Sequence, residues 1–289
     1  MRGPTRGGAL DAPRCASHTQ IMRHEALALY PLRAAADVPL VTTDQMREVD
    51  RLAIDDAQLS LLQMMENAGR ALATITADHL PPPMASSDEP PSALVVAGRG
   101  NNGGGALVAA RNLRNWGFDV EIVLSSPPGS LGEAAAQQHH VLHKDGVRSL
   151  WPGAPDFDER FPESLDQALV VVDGLIGYGI NGPLRGDTAV LVEAILDRAP
   201  PTVVSLDVPT GFNATSGDVY NFGIVASVTV TLALPKSGLY RRDAAAAVGE
   251  MFLADIGIPN YIYDRVGVEG VAGLFTEGPL IRLLDSQTG

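Results

Sequence analysis

The chain has 289 residues, of which 45% are hydrophobic and only 5% aromatic, and its formal net charge is −13. An acidic surface lacks the clustered Lys and Arg that phosphate contacts need, which argues against nucleic-acid and anionic-membrane partners. No apolar run approaches the ~18 residues of a membrane span, and the single cysteine, Cys15, excludes a disulfide framework. We therefore expect a globular cytoplasmic protein with a core of Val, Leu, Ile and Ala.

The first 37 residues contain several arginines and few acids, without the long apolar stretch of a secretory signal. We expect residues 1–37 to form a disordered tail, with Met22 as an alternative start and an organelle transit peptide as the competing interpretation. Nothing after them resembles a linker between two cores, so residues 38–289 are predicted to form a single domain.

Two helices are predicted at the start of this domain, because Thr42 with Gln45 and Ser60 with Gln63 both have capping-box spacing. Strands and helices then alternate along the chain. Strands are predicted at 93–97, 120–124, 168–172, 202–206, 228–232 and 251–254, and helices at 105–116, 131–144 and 188–198. Strands separated by helices imply right-handed crossovers, so an α/β fold with a parallel sheet is expected. The segment after Pro259 has no clear pattern.

Gly-rich or polar segments follow four of the predicted strands. They are 98–105, 173–183, 207–211 and 235–238. Open parallel sheets bind ligands at the carboxyl ends of their strands. Four such segments on one edge therefore predict one composite pocket.

The residue types in these segments suggest their roles. Glycines let a ligand approach the backbone closely, and a Gly-rich turn that enters a helix presents free N–H groups to an anion. Asp173 and Asp207 can bind ribose hydroxyls, hold a cation or transfer a proton, although each can also merely cap a turn. Lys236 is expected to be solvated. His139, His140 and His143 are expected to form a solvated helix face rather than a metal site.

The spacing Gly98-x-Gly100-x-x-Gly103 also fits the dinucleotide-binding fingerprint of oxidoreductases. That fingerprint requires an acidic residue at the end of the second strand, whereas this strand ends in Leu124-Ser125-Ser126. A nicotinamide-dependent dehydrogenase is therefore a weaker hypothesis.

Several motifs, in order, resemble the NAD(P)H-hydrate epimerase family, also called the YjeF N-terminal domain. The resemblance covers about residues 40 to 260. The matching segments are Met64–Arg70, Gly98–Gly104 followed by Leu107–Arg111, Val171–Gly177, Gly182–Gly186, Ser205–Gly211, Thr231–Leu239 and Asp255–Pro259.

The resemblance implies a three-layer α/β/α sandwich with a Rossmann-like, mostly parallel sheet. It implies an isomerase that interconverts the R and S forms of hydrated NADH and NADPH, with a separate dehydratase as a partner, and a homodimer. The implied substrate-binding residues are Asn101, Asn102, Gly103, Gly104, Gly105, Gly177, Tyr178, Gly179, Ile180, Asn181, Gly182, Pro183 and Asp207. A potassium ion would be held by Asn102, Asp173 and Thr210, whose oxygens suit a hard cation.

Epimerisation at the hydrated ring carbon requires loss and return of hydroxide, or ring opening, through a planar cation. Asp173 or Asp207 is predicted to act as acid and base or to stabilise that cation. On the sequence alone, Asp207→Ala is expected to abolish activity and leave the fold intact.

One position departs from the family pattern. The family's loop usually reads Asn-Asn-Gly-Gly-Asp-Gly, whereas Gly105 occupies the position of the Asp here. The alternative hypothesis is therefore a catalytically weak or inactive relative that binds a nucleotide ligand or another protein. Restoring Asp at this position is expected to raise activity if the rest of the site is intact.

Overall fold

The protein is built on one nine-stranded sheet, seen in a computed structural model that describes residues 29–83, 90–241 and 244–284. The strands are β1 (Leu32–Ala34), β2 (Ser92–Ala97), β3 (Asp119–Leu124), β4 (Ser149–Leu150), β5 (Val170–Gly174), β6 (Val203–Leu206), β7 (Val228–Leu232), β8 (Glu250–Ala254) and β9 (Leu280–Leu284). Their order is β1-β9-β8-β7-β6-β5-β2-β3-β4. Only β8 and β9 are paired antiparallel within this sheet. The predicted α/β class with a mostly parallel sheet is confirmed.

Eight α-helices connect the strands in the described residues. They are α1 (Thr43–Asp55), α2 (Leu61–Asp78), α3 (Asn101–Asn115), α4 (Glu133–Lys144), α5 (Phe157–Gln167), α6 (Gly186–Arg198), α7 (Ala245–Val248) and α8 (Asn260–Arg265). Both predicted capping boxes are formed, at Thr42 with Gln45 and at Ser60 with Gln63. Each satisfies two backbone N–H groups that the first helical turn leaves free. None of the described helices is long and apolar enough to cross a membrane.

The side chains of the central strands alternate between two hydrophobic clusters. In β2, Ala93, Val95 and Ala97 pack with residues of α2, α3 and α4. Leu94 and Val96 point the other way and pack with residues of α5 and α6. Because successive side chains of a strand face opposite sides, each face of the sheet is covered by its own helices. The three-layer α/β/α sandwich is confirmed.

The predicted tail, 1–37, is structured at its end. Residues 1–28 lie outside the described residues, but β1 occupies Leu32–Ala34 and pairs with β9. A three-residue strand is too short to show a periodic pattern, so its position depends on a partner 250 residues away. In the loop expected at 81–91, residues 84–89 also lie outside the described residues.

The chain reverses its direction of travel across the sheet between β2 and β5. From β2 it proceeds outward to β3 and β4, and it then returns to β5 on the other side of β2 and continues to β6 and β7. This reversal opens a crevice at the carboxyl ends of β2 and β5, which is the usual ligand position in open parallel sheets. The Gly98 N–H donates to the Gly174 carbonyl at 3.1 Å across this point.

Candidate active site

A cavity of about 780 Å³ lies at this edge of the sheet. Its walls come from α1, α2, the β2–α3 turn, the end of β3, the β5–α6 loop and the end of β6. The predicted site residues that line it are Asn101, Asn102, Gly105, Gly177, Tyr178, Gly179 and Asp207. Three of the four strand-end segments expected to form a composite pocket therefore line this cavity, whereas 235–238 does not. The size of the cavity is typical of ligand sites.

The first Gly-rich segment forms the start of a helix. Helix α3 begins at Asn101, four residues before the predicted start. Its N-cap residue is Gly100, so no side chain caps the N–H groups of the first turn. The first turn of α3 thus faces the cavity with backbone N–H groups and the positive end of the helix dipole. This arrangement suits an anionic group such as a phosphate.

Two glycines of the first predicted substrate loop, Gly103 and Gly104, do not line this cavity. A Cβ added to Gly103 would lie 1.8 Å from the Gly98 carbonyl oxygen, and one added to Gly104 would lie 2.6 Å from the Met65 side chain. Their positions are explained by close packing of α3 against its neighbours rather than by ligand contact.

Gly105, where the resemblance described above implies an Asp, does line the cavity. A Cβ added there would lie 2.9 Å from Cδ2 of Leu206, the residue before Asp207. The Leu206 side chain therefore fills the space into which a larger residue at 105 would extend.

Asp207 and Lys236 form an ion pair buried beside the cavity. Lys236 Nζ donates to Asp207 Oδ1 and, at 2.8 Å, to the Leu232 carbonyl. The side chains of Lys236 and Asp207 are only 1% and 5% exposed. The expectation of a solvated Lys236 was wrong, because a lysine that follows a strand end can turn inward to a buried carboxylate.

The backbone is strained where β6 and β7 end. Asp207 has φ of 69° and Ala233 has φ of 64°, both in the left-handed region that non-glycine residues rarely adopt. Such strain is retained where surrounding contacts fix it, and it concentrates at functional sites. The conformation of Asp207 directs its Oδ2 to accept from the Tyr178 N–H at 2.9 Å.

Asp173 and Thr210 are fully buried and do not line the cavity. Asp173 accepts from the Thr210 hydroxyl at 2.7 Å, the Thr210 N–H at 2.9 Å, the Ser205 hydroxyl at 2.8 Å and the Leu175 N–H at 3.2 Å. Burial raises the pKa of Asp173, which these hydrogen bonds oppose. The position does not support the predicted direct catalytic contact for Asp173.

Oxygen atoms nevertheless converge around Thr210. Its hydroxyl lies 2.7 Å from Asp173 Oδ1 and 3.2 Å from the Ile176 carbonyl. Among the described residues, no cationic side chain forms an ion pair with Asp173, and Asn102 Nδ2 is buried without a hydrogen-bond partner. A carboxylate, a hydroxyl and a carbonyl are suitable donors for a hard cation.

The second half of the predicted substrate loop does not line the cavity. Ile180, Asn181, Gly182 and Pro183 are absent from the lining, while Gly177, Tyr178 and Gly179 form part of it. The loop is held at its end by Asn221, whose Oδ1 accepts from the Leu184 N–H at 3.1 Å.

Other residues in the lining were not predicted from the sequence as site residues. Arg47 and Asp50 come from α1, Arg99 from the β2–α3 turn and Ser125 and Ser126 from the end of β3. Asp187 and Thr188 come from the start of α6. The helix α1 residues had a detectable signal: Asp50 lies four residues after Met46 and three before Ala53, so a carboxylate interrupts an apolar helix face.

The histidines predicted to form a solvated helix face, His139, His140 and His143, lie outside this cavity, on α4. His139 is buried, its Nε2 lies 3.1 Å from the Ser149 hydroxyl and its ring stacks on His143, so the expected solvated face was wrong for His139. Burial lowers its pKa. No cluster of three or more His, Cys, Asp or Glu suited to a metal occurs within 29–83, 90–241 and 244–284.

Among solved structures, a crystal structure of the yeast protein ynu0, YNL200c, has a similar fold. It superposes with a TM-score of 0.70 at 24% sequence identity, covering 84% of this chain and 99% of the yeast chain. At that identity the likeness supports the fold alone.

Relatives found by sequence comparison have a higher sequence identity to this chain than the yeast protein has. The chain is 38% identical over 247 residues to an NAD(P)H-hydrate epimerase of Dehalogenimonas lykanthroporepellens, covering 86% of this chain and 94% of the relative. It is 32% identical over 228 residues to an NAD(P)H-hydrate epimerase of Rhodopirellula baltica, covering 79% and 88%. It is 35% identical over 230 residues to a bifunctional NAD(P)H-hydrate repair enzyme Nnr of Thermanaerovibrio acidaminovorans, of which it spans 43%.

The family model described as YjeF-related protein N-terminus matches residues 61–238, more than half of the chain. These residues include β2 to β7 and both loops that contribute backbone to the cavity. The chain therefore belongs to the YjeF-related N-terminal domain family.

Proposed function

We propose that this protein is an NAD(P)H-hydrate epimerase, an isomerase that interconverts the R and S forms of hydrated NADH and NADPH. The observation that carries the proposal is the cavity at the sheet's switch point, which is lined both by a helix start suited to an anion and by Asp207, the partner of the buried Lys236. The two relatives of which this chain covers 94% and 88% are both named NAD(P)H-hydrate epimerase. All the named relatives carry enzyme names, which gives the binding-only alternative no support.

The cavity extends across the ends of several strands. Neighbouring strands lie about 4.8 Å apart, so the ends of β3 and β6, three strand spacings apart, are separated by roughly 14 Å. Ser125, Ser126 and Arg99 lie toward the β3 side and offer hydrogen bonds and positive charge to a ribose or phosphate. We place the hydrated nicotinamide ring at the other side, beside Asp207.

The reaction passes through a planar cation once the hydroxyl has left the ring. The Asp207 carboxylate is fixed by two donors, Lys236 Nζ and the Tyr178 N–H. A carboxylate held in place before the reaction stabilises developing positive charge without the cost of reorienting solvent. Tyr178 adds an aromatic ring to the same wall, which favours a planar ligand.

A potassium ion at Asp173, Thr210 and the Ile176 carbonyl, with Asn102 nearby, is part of the proposal. When bound, it would supply positive charge that fixes the β5–α6 loop, and through it Gly177 and Tyr178. The residue types suit a hard cation, since Asp173, Thr210 and Ile176 offer a carboxylate, a hydroxyl and a carbonyl oxygen, and no cationic side chain among the described residues pairs with Asp173. Backbone N–H groups of Leu175, Ile176 and Thr210 also donate to the carboxylate and the hydroxyl.

This proposal predicts potassium-dependent stability. At ten times its Kd, potassium stabilises the folded state by about 1.4 kcal/mol, which corresponds to roughly 3–5 °C in Tm. The measurement compares Tm in KCl and in LiCl at equal ionic strength. Asp173→Asn should remove the difference, and Asp187→Asn, which changes an exposed carboxyl of the cavity, should keep it. Equal Tm for the parent protein in both salts would contradict potassium binding.

Restoring the family's Asp at position 105 is expected to raise kcat/KM, but more strongly when Leu206 is shortened. Gly105→Asp alone displaces Leu206 Cδ2, and Asp207 follows Leu206 directly. Gly105→Asp combined with Leu206→Val should exceed the single variant by about tenfold. Gly105→Asn is the uncharged control. If neither Asp variant exceeds the parent, a carboxylate at 105 has no role in this chain.

The proposed activity is tested by supplying R-hydrated NADPH together with a dehydratase that accepts only the S form. Regeneration of NADPH faster than in the dehydratase control establishes the epimerase, and no acceleration rejects it. A separate dehydratase partner, a homodimer and a cytoplasmic location remain part of this proposal, and the bifunctional name of one relative gives the link to a second repair activity its support.

A further inference from the structure

Asp50 is a carboxyl of the cavity wall that comes from outside the family-matched region. It lies on α1, whereas the family model begins at residue 61, the first residue of α2. The neighbouring Met46, Val49 and Ala53 of α1 are buried in the core. Because a carboxylate on an apolar helix face costs free energy unless it is partnered, its retention there requires an explanation.

Asp50 is tied directly to the loop that carries Tyr178. The Tyr178 hydroxyl donates to Asp50 Oδ2, and the Tyr178 N–H donates to Asp207 Oδ2. Tyr178 therefore bridges the two carboxyls. Among the described residues, no hydrogen bond is made by the other oxygen of Asp50, Oδ1, and Asp50 lines the cavity.

The other carboxyls are less suited to proton transfer. Both oxygens of Asp207 already accept from fixed donors, and one of these is a lysine. Asp173 is fully buried and does not line the cavity. Asp187 lines the cavity but is exposed to solvent at the start of α6. Of these four carboxyls, only Asp50 is both shielded from solvent and left with an oxygen that accepts no hydrogen bond from a described residue.

We propose that Asp50 is the acid and base of the epimerisation, a role that rests on the proposed function. Protonated Asp50 gives its proton to the hydroxyl on the hydrated ring carbon, and the carbon–oxygen bond breaks. The ring nitrogen's lone pair forms the double bond of the cation, and water leaves. Water then adds to the opposite face and the electron pair of the carbon–nitrogen double bond returns to nitrogen. The added water releases one proton to solvent in the cavity, and the ionised Asp50 takes up one proton from that solvent.

The surroundings of Asp50 raise its pKa above that of an exposed aspartate, which is the direction that an acid in this cycle requires. Burial raises its pKa, while the Tyr178 hydrogen bond and the charge of Lys236 lower it and the charge of Asp207 raises it. The other groups that face Asp50 are Arg47 of its own helix, which also lines the cavity, and Tyr263 of α8, whose pKa the Asp50 charge helps to raise. An acid with a raised pKa beside a permanently paired carboxylate is a recurring arrangement for general acid catalysis.

The test compares Asp50→Asn with Asp55→Asn. Both change a carboxyl of α1 to an amide, but Asp55 is exposed and pairs with Arg51. Asp50→Asn is expected to lower kcat by about 10²–10⁴-fold, the usual contribution of general acid–base catalysis, with little change in KM. Asp55→Asn should leave both unchanged. The parent's kcat should fall as pH rises through the pKa of Asp50, and this limb should be absent in Asp50→Asn.

Tyr178→Phe distinguishes proton transfer from a packing role. It keeps the ring and removes the donor that stabilises ionised Asp50, so the alkaline limb of kcat should move to higher pH. A purely structural role would lower kcat without moving the limb.

Three outcomes would overturn the inference. Asp50→Asn with parental kcat and an unchanged pH limb rejects Asp50 while the epimerase stands. If the alkaline limb of kcat does not move in Tyr178→Phe, Asp50 is likewise rejected as the acid and base. This second measurement decides the question if Asp50→Asn does not fold. A parent protein that does not accelerate the reaction rejects the epimerase proposal and this inference together.

Discussion

Asp207→Ala is expected to lower the free energy of unfolding by about 3–5 kcal/mol, the usual cost of removing one member of a buried ion pair. The variant leaves the Lys236 charge buried without its ion-pair partner. Among the described residues, the Leu232 carbonyl still accepts a hydrogen bond from Nζ, and the centre of the Tyr178 ring lies 5.7 Å from it. The sequence alone predicts that this variant keeps its fold intact, because it gives no sign that Lys236 is buried. Urea denaturation followed by circular dichroism measures the loss.

The paired control is Asp207→Ala with Lys236→Met, in which no charge remains buried. Replacement of a whole buried pair by apolar residues is often neutral, so the double variant should recover most of the lost stability. A single-variant loss below about 1 kcal/mol, the range of exposed pairs, would contradict the buried pair. For activity measurements Asp207→Asn is the better variant, because it keeps the shape of the side chain.

Gly103→Ala is expected to destabilise the protein by about 1–3 kcal/mol, as overpacking does, and to abolish the proposed activity. Its new Cβ would lie 1.8 Å from the Gly98 carbonyl oxygen, a backbone atom that cannot rotate away. The start of α3 must therefore shift, and the N–H groups that we propose for phosphate binding shift with it. Thermal unfolding and the epimerase assay measure the two effects.

The matched control is Gly179→Ala, in the second loop of the same cavity. A Cβ there would meet nothing within 4 Å, so the free energy of unfolding should change by less than about 0.5 kcal/mol. Equal stability of the two variants would show that the Gly-rich turn is not closely packed at Gly103.

The central fold is predictable from the sequence because its signals are local. The apolar strands that became β2, β3 and β6, and both capping boxes, lie within two residues of their predicted positions. The strands β1 and β9 have no such signal, since each is defined by its pairing across the sheet edge. Helix α5 contains Pro162, which disfavours a helix when the sequence is considered alone.

Residues of the candidate site could be predicted from the sequence where they follow the ends of strands. They could not be predicted where they lie on helices or where their role depends on burial. Asp207, Tyr178 and Asn102 line the cavity as expected. Asp50 comes from a helix, so no strand-end rule identifies it. The burial of Lys236 and Asp173 depends on packing between distant segments, which residue types alone do not specify.

The proposed epimerase activity is measured most directly by following the two epimers themselves. Purified R-hydrated NADPH is incubated with the protein, and the R and S forms are separated by chromatography over time, with folded Asp207→Asn as control. If the protein is an epimerase, S accumulates at a rate proportional to protein concentration, and pure S relaxes to the same final mixture. Interconversion at the rate of buffer alone, at every protein concentration, would contradict it.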